Sequence, residues 1–105
     1  MLLYNLNELL FKKKKVWYNN LAKRKINYRR VKILKVTDIK ELKLIANDIR
    51  KDIIEEVYGA NSGHPGGALS IADIMTVLYF NQMNINPEEP NSNLRDRLVL
   101  SKGHA

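Results

Sequence analysis

The chain has 105 residues, 18 Lys+Arg against 11 Asp+Glu for a formal charge of +7, and no cysteine. That length fits one domain, and the missing cysteines exclude disulfide staples, thiolate metal sites and a cysteine nucleophile. No apolar run approaches the roughly 18 residues that cross a bilayer.

The charge is unevenly placed. Residues 1–36 hold 11 Lys+Arg and one acid, Glu8, a net of +10, whereas residues 37–105 hold 7 and 10, a net of −3. The break at Val36/Thr37 divides the chain into a basic N-terminal extension, 1–36, and a second unit, 37–105. The extension begins apolar and then turns basic, the reverse of a secretory signal. It interleaves Lys12 to Lys15 with Trp17, Tyr18, Arg24, Tyr28, Arg29 and Arg30. That mix suits nucleic acid or an anionic membrane surface. The simpler expectation is a solvated, poorly ordered extension, or a mis-called start, with a GTG codon at Val36 opening the second unit.

From Asp38 onward, Ile39, Leu42, Ile45, Ala46, Ile49, Ile53, Ile54 and Val57 recur at steps of three and four. This is the apolar stripe of an amphipathic helix, running to about Tyr58 and ended by Gly59 and Asn61. Asp38 with Glu41 resembles a capping box. Lys51, Asp52, Glu55 and Glu56 read as its solvated face.

The stretch GANSGHPGGALSIAD, Gly59 to Asp73, follows. Glycine admits positive φ and lets a ligand approach the backbone. Proline restricts the residue before it, so His64 sits on a tightly specified backbone. Ser70 with Asp73 predicts a second helix from Ile71 to about Asn81. Backbone amides over Gly67 to Ile71 could hold an anion, although capping by Ser70 is their simpler use. Apolar residues surround this helix, which marks it as buried, and a 105-residue chain offers little to bury it against. Met75 and Met83 read as packing residues.

Asn84 to Asn93, with Pro87 and Pro90, reads as a surface loop. Arg95, Asp96 and Arg97 form a structural cluster, with Asp96 pairing an arginine or capping local amides. Arg97 to Ser101 reads as a short strand that opens at Gly103 and places His104 at its carboxyl end. In open α/β sheets ligands bind at that end. His64 and His104 are 40 residues apart and have no Cys or carboxylate at ligand spacing, so they do not read as a metal site.

The order SGHPGG, S-x-AD, LYF, P-x-x-P, DR-x-VLS-x-GHA over Thr37 to Ala105 closely resembles the start of transketolases, most of all the N-terminal subunit of the split bacterial form. A whole transketolase is several times longer. The resemblance implies an α/β fold, with a parallel sheet flanked by helices when complete and a mostly helical piece as given. It implies ketol transfer between sugar phosphates with thiamine diphosphate and Mg²⁺, in a cytoplasmic enzyme. His64 then matches a catalytic histidine that contacts the sugar's hydroxyls, and His104 one that lies against cofactor and substrate. The family's Gly-Asp-Gly and later Asn, which hold Mg²⁺ and the diphosphate, are not in this sequence. Partners implied are sugar phosphates, the remainder of a transketolase or a C-terminal subunit, and a homo- or hetero-oligomer. The isolated chain is therefore expected to be inactive. Deoxyxylulose-phosphate synthase uses similar histidines, but its loop and final motif read differently. A small basic nucleic-acid or membrane-surface binder and a nonfunctional gene remnant are the readings from other classes.

Overall fold

The computed structural model describes residues 6–23 and 35–103. These residues form three α-helices and a π-helical turn: α1 (Leu6–Lys23), α2 (Ile39–Ala60), α3 (Pro65–Val77) and the turn Leu78–Gln82.

Helix α2 starts where its sequence puts the signal. Asp38 is extended, and its carboxylate accepts a hydrogen bond from the Lys40 amide at 3.0 Å. Such a cap satisfies one of the amides that a helix N-terminus leaves unpaired. Ile45, Ala46, Ile49 and Ile53 are buried along one stripe. The helix ends at Ala60, two residues beyond Tyr58, and its C-cap Asn61 takes the left-handed conformation (φ 49, ψ 27) and donates its N–H to Tyr58 O at 3.0 Å. Asparagine tolerates that conformation better than most side chains, so Gly59 stays helical. Ile39 and Ile54, assigned to the buried stripe by spacing, are 68% and 48% exposed.

Helix α3 corrects the expected boundary. It begins at Pro65, six residues before Ile71, with His64 as N-cap. Proline is preorganised for the first helical position and loses no hydrogen bond there. Ser70 is thus inside the helix, its hydroxyl donating to Gly67 O at 2.8 Å. Asp73 caps nothing and pairs with Arg50 of α2.

The end of α3 passes into the π-helical turn, closed by Met83 N donating to Leu78 O at 2.7 Å. Its carbonyls find partners on the basic segment. Val36 N donates to Phe80 O (2.8 Å), Lys35 Nζ to Gln82 O (2.9 Å) and Lys14 Nζ to Tyr79 O. Asn81 Nδ2 returns a bond to Val36 O at 2.8 Å. Cations at a helix C-terminus also complement the macrodipole.

Within the segment expected to be a poorly ordered extension, the structure builds α1. Leu6, Leu9 and Leu10 join Ile45, Ile49, Ile53, Ala72, Met75, Tyr79, Phe80, Met83 and Ile85 in one core. Phe11 meets Tyr79 edge-on, with ring centroids 5.7 Å apart, and Arg95 lies over the Phe11 ring at 5.4 Å. Asp52, read as solvated, forms a half-buried ion pair with Lys13 at 2.8 Å. On the far side of α3, Ile74 and Val77 stay 62% and 40% exposed, so the all-round burial expected of this helix is only partly met.

Beyond the turn, Asn84 and Asp96 clasp the loop between them. Asn84 N donates to the Asp96 carboxylate (2.7 Å) and Asp96 N to Asn84 O (2.9 Å). This is the amide capping that the sequence offers as one role for Asp96. The strand expected over Arg97–Ser101 is not formed: among the described residues there is no strand. A strand exists through ladder bonds to a neighbour, and no other described segment supplies one. The described residues are helical, as expected of the piece as given, and it is the strand over Arg97–Ser101 that is corrected.

Candidate functional site

The site is built around the turn between α2 and α3, Asn61 to His64. Gly63 takes φ +125, a conformation that side chains rarely adopt, so a glycine is required there. The turn reverses the chain over Val57, whose methyls would lie 3.6 and 3.7 Å from a Cβ on Gly63. His64 follows with φ −126 and ψ 103, exposed and making no capping hydrogen bond with its side chain. A residue that caps without using its ring leaves both nitrogens for another partner. Directly behind it, a Cβ on Gly66 would meet nothing within 4 Å, so the first turn of α3 is open to approach.

Spacing does not single out Lys102, yet it reaches this turn. Its Nζ donates to Gly67 O at 2.9 Å and to Ser70 Oγ at 2.8 Å. The segment carrying Ser101 to Gly103 is thereby brought onto the first turns of α3. The only signal in the sequence is the lysine's place within SKGHA. His104, the second expected site residue, lies outside the described residues.

Among the described residues no group of three His, Cys, Asp or Glu could hold a metal ion. Two carboxylates of the flanking helices are otherwise engaged, Asp73 with Arg50 and Asp52 with Lys13. What the described part offers a ligand is an imidazole, bare backbone at Gly66 and a lysine ammonium. That set fits polar contacts to hydroxyl groups rather than metal coordination. No described helix is long and apolar enough to cross a membrane.

Comparison with known proteins places residues 41–105 in the family described as transketolase, thiamine diphosphate binding domain. The chain is similar to one of the subunits of an apulose-4-phosphate transketolase from Phocaeicola vulgatus, 44% identical over 66 residues, which is 63% of this chain and 24% of that protein. It is 52% identical over 59 residues to a 6-deoxy-6-sulfo-D-fructose transketolase subunit of a Clostridium species, covering 56% of this chain and 22% of the relative. Against transketolase 1 of Vibrio cholerae it is 50% identical over 62 residues, 59% of this chain and 9% of the relative. The chain thus spans about a quarter or less of the length of these relatives. No solved structure matches it. The family is one of thiamine-diphosphate-dependent transferases with an α/β fold, and this chain belongs to it, in the N-terminal, thiamine-diphosphate-binding region of transketolase.

Proposed function

We propose that this chain forms the opening part of a transketolase that moves a two-carbon ketol group from a ketose phosphate to an aldose phosphate. Residues 37–105 would begin the cofactor-binding domain, with residues 1–36 as an addition to it. The observation that carries the reading is His64: exposed, on a backbone fixed by Gly63 and Pro65, with its ring unused by the helix that it caps. Thiamine diphosphate, when bound with Mg²⁺, supplies the carbon–carbon chemistry. This chain's own share is to hold the sugar and move protons.

In that role the His64 imidazole contacts sugar hydroxyl groups, donating from one ring nitrogen and accepting at the other, and can carry a proton near neutral pH. His104 is proposed to lie against cofactor and substrate. The groups that hold Mg²⁺ and the diphosphate belong to sequence beyond the described residues, so the partner is the remainder of a transketolase or another polypeptide that supplies it. Subunit names among the relatives support that arrangement. The setting proposed is the cytoplasm.

The test is ketol transfer, assayed with thiamine diphosphate and Mg²⁺, by the 105-residue chain alone and by the same chain joined to a downstream transketolase sequence that carries Gly-Asp-Gly. Activity is expected only in the joined protein. Turnover by the chain alone would contradict the division of labour, and an inactive but folded joined protein would remove the transferase reading.

A further inference from the structure

We propose that Lys102 is a positioning residue, an ammonium tie that fixes the segment leading to His104 against the helix turn capped by His64. The proposal rests on the functional reading above only for the roles of the two histidines; the tie itself rests on geometry.

Lys102 Nζ stands 2.9 Å from Gly67 O and 2.8 Å from Ser70 Oγ, partners 35 and 32 residues away in the chain. Ser70 Oγ in turn donates to the same carbonyl at 2.8 Å. The three groups form a closed set: the lysine donates twice, the serine accepts once and donates once, and the carbonyl accepts twice. Two of the bonds are charge-assisted, and the ammonium keeps a third N–H beyond them. Helix electrostatics does not explain the placement, because a cation near a helix N-terminus opposes the macrodipole. The hydrogen bonds themselves hold it there.

The tie matters because little else fastens this stretch. After the Asn84–Asp96 clasp, Leu98 packs against the core, while Val99 is 90% exposed and Ser101 to Gly103 are exposed. Among the described residues, Leu98 and the Lys102 hydrogen bonds fasten the segment, with Leu100 37% exposed between them. His104 is two residues past Lys102, a span of at most about 7 Å of chain. Gly67 is three residues past His64 within one helix, a rise of about 5 Å.

The absence of cysteine allows a direct test on the whole chain. A nitroxide attached to S101C should broaden the amide resonances of Gly66 to Ser70, at least halving their intensity relative to the reduced label. In K102M the broadening should fall to less than half of its parental extent, Leu98 still holding the segment nearby, with the far-UV circular dichroism unchanged. K102R, which keeps a cationic donor of similar reach, should restore most of it. S70A, which removes one acceptor and leaves the lysine, should weaken it in part. Broadening as strong in K102M as in the parent chain, or its absence from the parent chain, would overturn the tie. The readout is a distance and not turnover, so an inactive transketolase with intact broadening would count against the transferase reading alone.

Discussion

Helix α1 and the turn at His64 put polar residues to opposite uses. In α1 four consecutive lysines divide between solvent and core. Lys12 and Lys15 are exposed, Lys13 is half-buried against Asp52, and Lys14 is fully buried with its amine on Tyr79 O. Helical phase decides this, since Lys14 follows Leu6 and Leu10 at steps of four on the inward stripe. At the turn, His64, set between Gly63 and Pro65, is left exposed and makes no capping hydrogen bond with its side chain. A charged run can thus be core, and a rigidly placed imidazole can be free. Backbone constraint and burial are separate properties, and it is their separation that marks a residue held ready for a ligand.

That contrast can be broken most forcefully in α1. Leu10 has no exposed surface, so Leu10→Ala should cost about 2–5 kcal/mol in urea unfolding, the range for a cavity left by a buried leucine. An unchanged midpoint would mean that α1 does not contribute to the core.

Lys14 gives the next largest effect, with a sign. Burial, and secondarily the positive charge of Lys35, push its amine down to about 8. In the unfolded chain it titrates near 10.5, so between pH 8 and 10 the unfolded state binds more protons and stability rises with pH. The gain over that window is on the order of 2 kcal/mol, less than the full shift implies because both states are only partly titrated across it. Above pH 10 the trend reverses: burial raises the Tyr79 hydroxyl, so the unfolded state then loses a proton that the folded state keeps. Lys14→Met should flatten the rise between pH 8 and 10.

Gly63→Ala sharpens the other side of the comparison. The left-handed φ should cost about 1–2 kcal/mol, although the nearest atoms, the Val57 methyls, leave room for the methyl group. The smallest effect is expected at the residue proposed to meet substrate: His64→Ala should change stability by less than about 0.5 kcal/mol, as for an exposed side chain that makes no cap.

Much of this is readable from the sequence, and the failures have physical causes. The stripe and Asp38 cap of α2 are legible because spacing and capping agree with the final packing. The start of α3 is easily misplaced because Ser70-x-x-Asp73 imitates a capping pattern, and two glycines after Pro65 argue against helix on propensity. The Pro65 signal is present and outranks both. Helix α1 is hidden because a lysine run is ordinarily solvent-facing, and the inward use of Lys14 depends on the carbonyls of a turn 65 residues away. The strand over Arg97–Ser101 needs neighbours that the described residues do not supply. His64 stands out by its motif, whereas Lys102 does not, because a lone lysine in an irregular segment carries no periodic signal.

The central claim is that His64 is displayed for chemistry and not for folding. The most direct measurement is the ketol transfer rate of His64→Ala in the chain joined to a downstream transketolase sequence, with the melting midpoint recorded on the same sample. Loss of transfer at an unchanged midpoint is the expected result. Transfer at the parental rate, or a midpoint that falls as far as that of Leu10→Ala, would contradict it.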